Sequence, residues 1–494
     1  MNFQSFGKTA LPFLGFGAGL ASLIGLSFFG QSRDSQQFSQ VDNPVVPVTS
    51  IAEDPPLAPV DDFGGAKDSL LPALTGVSNR ENRWGHSFKV FGKCRIFPAL
   101  AAEPYPTATG AVQTISGVFD CGPGELAFSE PEINGRPISE FPTLSLEYHY
   151  GKASDTPFTL YTQAVSNVVV NEELVITTAP VVISKQAGRQ ANRIGVNITF
   201  PNGLYQRNAT TGAIEDSSVT FFISLTDAQG NSPVGEYVTA TAKQSTPYFL
   251  YKEYAVPDAL YTVRVLRYTP ATNATPNVVN NSTWTDLVAF GAGPAFYPHY
   301  NSAGQRVYMA EIAYRAQATA SLNGSLGEFS ILASSKFPIW DGTTWSDPTE
   351  TNNPAWLIVG ALREAFAYRP AADAQIDLPR FLEFANWCTS KNFTYNRAIP
   401  GEMTLYEACQ EIARAGRAVF FVRDGKYSVC IDKPVETISQ VFTERNIIKG
   451  SLSLKMSLIE PPDYLAVDWI NPDKDWQMDV YKVYDDGKTA SVNF

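Results

Sequence analysis

The sequence predicts a mainly β protein with a smaller α+β module, in which several antiparallel sandwich or barrel domains form the bulk of the chain. Gly and Pro contribute 35 and 34 of the 494 residues and aromatic residues 12%, which is typical of turn-rich β folds. Apolar and polar residues alternate in short runs between residues 88 and 337. Helical periodicity is concentrated between residues 338 and 434, which predicts one compact helical module.

Length, charge and cysteine usage limit the function classes. A chain of 494 residues has room for about three domains. The net charge of −12, with no run of Lys and Arg, argues against general binding to nucleic-acid phosphates. The five cysteines are scattered without C-x-x-C spacing: Cys94, Cys121, Cys388, Cys409 and Cys430. Cys388 and Cys409 lie on apolar helix faces, which predicts buried free thiols and suits a reducing cytoplasm.

The N-terminal region, residues 1–34, contains an apolar segment without any charge between Lys8 and Arg33. Its predicted contact residues are Leu14, Gly15, Phe16, Gly19, Leu20, Leu23, Ile24, Leu26, Phe28 and Phe29. About 20 apolar residues match the thickness of a bilayer, and a G-x-x-x-G pair allows close helix approach. Three interpretations remain open: a secretory signal, a signal anchor, and an apolar helix that associates with copies of itself.

Residues 35–78 are rich in Pro, Asp, Ser and Val without periodicity, which indicates an extended linker or arm. Residues 79–190 are predicted to form a first β domain, with a tight turn at Asn134-Gly135. Residues 191–337 show cleaner alternation and are predicted to form a β-sandwich.

Three helices are predicted in residues 338–434. The first covers residues 356–366, the second begins at Asp377, and the third begins at Thr404 with a capping box and ends before Gly416 as a C′ glycine. The apolar stripes of the second and third helices are Leu378, Phe381, Leu382, Ala385 and Cys388, and Leu405, Ala408, Cys409 and Ile412.

Two strands joined by a tight Asp424-Gly425 turn are predicted to follow these helices. Residues 435–494 add further strands that complete the β part of the molecule. A hairpin packed beside helices forms a compact α+β unit without an evident constellation of catalytic side chains.

No residue pattern points to a catalytic, cofactor or metal site, so none is predicted. The three histidines, His86, His149 and His299, occur neither in H-E-x-x-H nor near a cysteine cluster. Phosphate-binding and nucleophile-elbow motifs are missing from the sequence. A glycan-cleaving enzyme stays a minor alternative, because its two carboxylates need no fixed spacing along a chain.

Several phrases follow one another in an order that resembles the J-type tail-tip proteins of long-tailed bacteriophages, also called host-specificity proteins or central tail fibres. They are WDG at 340–342, NNPAW at 352–356, LYEACQEIARAG at 405–416, DGK at 424–426, IDKP at 431–434, FTERNIIKG at 442–450 and AVDWINPDKDW at 466–476. GPGELAFSEPEINGRPISEF, at 122–141, is similar to the first hub domain of that family. WGHSFKVFGKCRIFP, at 84–98 and preceded by the apolar segment, resembles I-type tail assembly proteins.

The resemblance implies a structural virion protein: a homotrimeric baseplate hub that closes the tail tube and gates DNA ejection. It implies contacts with other tail-tip and tail-tube proteins and with the tape measure protein, with the host membrane as a further candidate during ejection. DNA would only pass through as cargo. The alternative from the residues alone is a membrane-anchored or secreted bacterial β-sandwich surface protein.

Overall fold

The computed structural model describes most of the chain beyond residue 86. The described residues are 79, 87–176, 180–270, 277–295, 299–301, 304–318, 326–364, 366–367, 369–434, 440–453, 464–474 and 477–484. The predicted N-terminal apolar segment and linker lie outside them.

The strands of the β part are numbered in chain order. The first stretch has β1 (Lys89–Phe91), β2 (Lys93–Ile96), β3 (Ala99–Thr109), β4 (Val112–Pro123), β5 (Leu126–Ile133), β6 (Arg136–Pro137) and β7 (Leu144–Tyr150). The middle stretch has β8 (Gln163–Glu173), β9 (Val182–Gln186), β10 (Ala191–Phe200), β11 (Tyr205–Arg207), β12 (Ile214–Glu215), β13 (Ser217–Asp227), β14 (Val234–Ala242), β15 (Tyr248–Ala259), β16 (Tyr261–Arg267), β17 (Val278–Val279) and β18 (Thr283–Pro294). After it come β19 (His299–Tyr300), β20 (Arg306–Val307), β21 (Met309–Gln317), β22 (Phe329–Phe337) and β23 (Thr349–Glu350).

The remaining part mixes helices and strands. Its elements are α1 (Pro354–Arg363), α2 (Leu378–Lys391), β24 (Arg397–Ile399), α3 (Leu405–Ala415), β25 (Ala418–Arg423), β26 (Lys426–Ile431), β27 (Tyr464–Asn471) and β28 (Gln477–Tyr484). Short 3-10 turns lie at Ile138–Glu140, Asp373–Gln375 and Pro472–Lys474. The predicted fold class, mainly β with a smaller helical region, is confirmed.

The first β region consists of two antiparallel sheets with the orders β3-β4-β21-β7 and β2-β22-β5-β6. Their facing side chains form one core in which the Phe119 ring stacks on both Tyr314 and Phe329, with centroids 4.7 Å apart in each case. The alternation of residues 191–337 predicts that β21 and β22 belong to the following sandwich. In the structure they pair with β4, β7, β5 and β2 instead. Alternation along a strand predicts which side chains are buried but carries no information about a pairing partner almost 200 residues away.

The sandwich is built from residues that lie between β7 and β21. Its two sheets have the orders β15-β10-β18-β8 and β14-β13-β16-β9. Thus β8 and β9, which lie within the predicted first domain of residues 79–190, belong to the sheets of the sandwich. A smaller apolar cluster, including Tyr105, Tyr161 and Phe290, joins the sandwich to the first β region. The chain therefore leaves the first β region, forms the sandwich, and returns.

The α+β module packs on the first β region through α1. Asn353 caps this helix by accepting a hydrogen bond from the Ala355 N–H at 3.1 Å, and Pro354 occupies its first turn. The prediction that α1 spans residues 356–366 is therefore wrong by two residues at the start and three at the end. A Cβ added at Gly360 would overlap the Phe337 ring, so glycine allows α1 to approach β22 closely.

The second and third helices and the hairpin match their predicted signals. Asp377 precedes α2, and Thr404 and Glu407 form the capping box of α3. Asp424 and Gly425 both have positive φ, 53° and 76°, as a tight two-residue hairpin turn requires.

The prediction that Gly416 is a left-handed C′ glycine is wrong. Its φ is −95°, and the positive φ falls on Arg417 at 56°. A Cβ at Gly416 would lie 2.5 Å from the Phe384 ring and 2.7 Å from the Cys388 Sγ. Glycine is needed here because α2 packs closely against the end of α3. The local sequence predicts a glycine at the end of α3, but it does not show whether close helix packing or a positive φ requires it.

Candidate functional surfaces

The ten residues predicted to form an apolar trimer or membrane segment, Leu14 to Phe29, lie outside the described residues, and so does His86. Within the described ranges, no helix combines the length and apolarity needed to span a membrane. The same residues contain no group of three or more His, Cys, Asp and Glu side chains placed to hold a metal ion. Cys388 and Cys409 are buried free thiols, as predicted.

Three ionisable side chains form a row across the first β region. Glu311 on β21 is the register partner of Asp120 on β4 and of His149 on β7. The Glu311 Oε2 lies 3.6 Å from the His149 Nδ1. Burial raises the pKa of Glu311 to about 7 and also raises the pKa of Asp120. Burial opposes the charged form of His149, but the Glu311 carboxylate and the Thr156 carbonyl together raise the pKa of this imidazole.

The row anchors the connection between the first β region and the sandwich. The His149 Nε2 lies 2.6 Å from the Thr156 carbonyl oxygen, and its ring stacks on Phe158 at 3.4 Å between centroids. On the same strand, Glu147 accepts hydrogen bonds from the backbone N–H groups of Thr159 and Leu160. Residues 151–162 are thus tied to β7. The contacts of His149 and Glu147 therefore hold the segment that leads to the sandwich against β7.

Lys89 lies at the joint between the first β region and the α+β module. Its side chain is buried, and the Nζ donates a 2.6 Å hydrogen bond to the Pro123 carbonyl oxygen. The ammonium lies 5.1 Å and 4.7 Å from the ring centroids of Phe337 and Phe366. Burial lowers the pKa of Lys89 to about 8, against the opposing effect of Glu364. Sequence reasoning missed this residue because its burial depends on a module more than 250 residues away.

Two surface cavities lie on the α+β module. A cavity of about 500 Å³ beside α1 is lined by Arg363, Glu364 and Asp373 among others, and the Arg363 Nε donates to the Asp373 carboxylate at 2.7 Å. A cavity of about 740 Å³ lies along α3. There the Glu407 carboxylate caps the helix and the Glu411 carboxylate accepts from Arg397 at 2.6 Å. Asp373 and Glu411 are each engaged in an ion pair within the module, and Glu407 is engaged in a helix cap.

The C-terminal hairpin of β27 and β28 exposes one apolar face. Leu465 pairs with Val483, Val467 with Tyr481 and Trp469 with Asp479, so these side chains share a face. The five apolar residues of this face are all exposed. Within the described residues, the two strands pair only with each other. An isolated two-stranded hairpin is only marginally stable in water, so this face is a candidate contact surface.

The described residues form a multi-domain β protein in which ionisable side chains lie at the joints between its parts and one apolar hairpin face is exposed. Residues 164–290 match the family model described as tip attachment protein J, FNIII-A domain. The match coincides with the strands β8 to β18 of the sandwich. About a quarter of the chain is thus similar to a domain of a phage tail-tip attachment protein, and the resemblance to J-type proteins is confirmed over that part.

Comparisons with curated proteins and with solved structures do not extend this family match. The chain has no significant match among curated proteins. One similar solved structure is the C-terminal family 22 carbohydrate binding module of Clostridium thermocellum Xyn10B, with 10% identity over 31% of this chain and 87% of the other, and a TM-score of 0.14. The structure of infectious bursal disease virus Gx strain shows 10% identity over 51% of this chain and 82% of the other, with a TM-score of 0.18. At such TM-scores neither likeness supports a conclusion about fold or function.

Proposed function

We propose that the chain is a structural virion protein that forms the trimeric hub of a phage tail tip, closes the tail tube and gates DNA ejection. The observation that carries this proposal is the match of residues 164–290 to the FNIII-A domain of tip attachment protein J. The chain would assemble in the host cytoplasm and act at the tip of the virion without enzymatic activity.

The architecture supports a scaffold role. Buried contacts join three parts of the chain. The row at His149 and Glu311 holds the connection that leads to the sandwich. Lys89 lies between the first β region and the α+β module. A hub transmits force and holds neighbours in fixed positions, so rigid joints between its parts suit this role. The α+β module acts in this proposal as a docking unit for neighbouring tail proteins.

The exposed hairpin supports the trimeric part of the proposal. Its apolar face would be covered by another copy of the chain, which would relieve the exposure of Leu465, Val467 and Tyr481. The further partners in this proposal are other tail-tip and tail-tube proteins and the tape measure protein. DNA passes through only as cargo, and the net charge of −12 supports a path that does not retain a polyanion.

The N-terminal apolar segment completes the proposal. Three copies would associate near the trimer axis, because an uncharged run of this length must be shielded from water on a soluble particle. The host membrane is a candidate second environment for it during ejection. Charged substitutions at Leu20 and Ile24 separate the two roles: particles that assemble and bind hosts but fail to deliver DNA indicate membrane entry.

An electron-microscopy map of purified virions tests the hub proposal directly. We expect three copies of this chain around the axis of the tail tip, next to the end of the tail tube. Secretion of the chain and cleavage near residue 30, or its absence from purified particles, would contradict the proposal.

A further inference from the structure

The outer face of one sandwich sheet carries an apolar row that is exposed at Tyr237 and Val182 and half-buried at Phe222 and Leu266. On the sheet β14-β13-β16-β9, Tyr237, Phe222, Leu266 and Val182 are successive register partners, so they form one line across all four strands. Strands lie about 4.8 Å apart, which makes the line about 14 Å long. The inward residues of the same strands, such as Phe221 and Val263, fill the sandwich core. The outward row is therefore not needed to close the sandwich.

Aromatic rings dominate one end of the row. The ring of Tyr237 contacts Phe222 at 5.0 Å and Tyr268 at 5.3 Å between centroids. Tyr237 and Tyr268 are 61% and 58% exposed. A Cβ added at Gly235 would lie 3.6 Å from the Phe222 ring, so the missing side chain leaves the flank of this ring open. The three rings thus present a stepped apolar surface to solvent.

Hydroxyl groups border the rings. Ser218 is hydrogen bonded to Thr241 at 2.8 Å, and Thr220 to Thr239 at 2.9 Å, as cross-strand pairs on the outer face. Each hydroxyl pair retains a donor hydrogen and acceptor lone pairs for a further partner. Among the outward positions of these four strands the charged residue is Arg264, and no carboxylate occurs there.

We propose that this face, centred on Tyr237 and Tyr268, binds an uncharged oligosaccharide. The apolar C–H faces of sugar rings pack on aromatic rings, while sugar hydroxyls exchange hydrogen bonds with neighbouring Ser and Thr hydroxyls. The line of apolar side chains is long enough for a few sugar units. Arg264 adds five donors at one border without making the face strongly cationic.

Other occupants fit this chemistry less well. The centres of protein interfaces are poor in Ser, and their energetic anchors are poor in Ser and Thr, whereas this face contains many of both. A nucleic acid would need several cations, and a single Arg264 does not supply them. The inference does not rest on the hub proposal, because sugar binding can be measured on the isolated chain whatever its place in an assembly.

The test is isothermal titration of the full chain with three neutral hexasaccharides: maltohexaose, cellohexaose and chitohexaose. Each is used up to about 10 mM, where a site with a Kd of about 1 mM is largely filled. We expect binding of at least one of them. Tyr237→Ala and Tyr268→Ala should each weaken it about tenfold or more. Tyr300→Ala serves as the matched control, because Tyr300 is 56% exposed and lies outside this face.

Three results would overturn the proposal. One is no heat of binding with any of the three sugars, and another is binding that both tyrosine substitutions leave intact. The third is binding that Tyr300→Ala weakens as much as Tyr237→Ala and Tyr268→Ala do, since that would show that the loss does not depend on this face. Circular dichroism of each variant confirms the native fold.

Discussion

At the scale of single residues, Lys89 shows what a buried cation does at a joint. Its folded-state pKa of about 8 lies below the ordinary 10.5, so the folded protein releases this proton earlier than the unfolded chain. Between pH 8 and 10.5 the unfolded chain binds more protons at this residue, so the contribution of Lys89 to the free energy of unfolding rises with pH. The contribution of this residue is about 3 kcal/mol across that window.

Lys89→Met should remove that rise. We expect urea unfolding curves at pH 8 and at pH 10 to show a smaller gain in stability for the variant than for the unmodified chain. Lys93→Met is the matched control, because Lys93 lies on the next strand and is exposed. A variant that gained as much stability on raising the pH as the unmodified chain would show that Lys89 is not desolvated.

The contribution of Glu311 to stability has the opposite pH dependence, because it falls as the pH rises. Its raised pKa means that the folded state keeps a proton that the unfolded chain loses between about pH 4.5 and 7. The stabilisation from this proton is complete below that window and is lost as the pH rises through it. The raised pKa of His149 acts in the same direction at higher pH. Glu311→Gln should therefore flatten the stability profile between pH 4.5 and 7.

Thermal unfolding at several pH values measures this effect, with Glu328→Gln as the control because Glu328 is exposed. A Glu311→Gln profile as steep as that of the unmodified chain would rule out this carboxyl as the titrating group.

At the scale of elements, the β25–β26 hairpin depends on its turn. Gly425 has a φ of 76° and open space around the position of a Cβ. A substitution there is therefore resisted by the backbone conformation and not by crowding. Gly425→Val should destabilise the chain by about 1–2 kcal/mol or more, because a β-branched residue resists positive φ. Gly425→Asn should cost less, since Asn tolerates this conformation.

Denaturant unfolding measures the stability of Gly425→Val and Gly425→Asn, and an assembly assay measures the yield of particles with each variant. Equal losses for Val and Asn would mean that side-chain contacts, not the backbone, limit this position. Assembly should suffer in Gly425→Val while no enzymatic activity changes. A hydrolase activity abolished by one carboxylate substitution in the module would contradict the docking role.

The same elements show how far sequence reasoning reaches. Thr404 with Glu407, and Asp424 with Gly425, act on neighbours a few residues away, so their effects were predictable. The pairing of Glu311 with Asp120 and His149 was not, because it joins strands separated by the whole sandwich. For the same reason, the burial of Lys89 and the crowding at Gly416 became visible only once distant helices and strands were placed.

At the scale of the whole molecule, the sandwich occupies a side branch of the chain path. Both of its ends connect to the first β region, through residues 151–162 on one side and residues 295–308 on the other. Tyr161 helps to seal the joint by donating a hydrogen bond to the Glu103 carbonyl oxygen at 2.9 Å. A sandwich tied at both ends stays attached to the first β region while the outer face of its β14-β13-β16-β9 sheet is open to the surroundings.

The exposed hairpin yields the prediction for assembly. Val467 and Val480 are 47% and 53% exposed and lie on opposite faces of β27–β28, because Val467 pairs with Tyr481 while Val480 pairs with Asp468. If a second copy covers the apolar face, Val467→Glu places a charge in that contact, whereas Val480→Glu leaves it intact. We expect Val467→Glu to weaken trimer formation tenfold or more, about 1.4 kcal/mol, in native mass spectrometry. Both variants should keep the melting temperature of the monomer, since neither side chain is buried in it. Trimers that tolerate Val467→Glu as well as Val480→Glu would show that copies of the chain meet elsewhere.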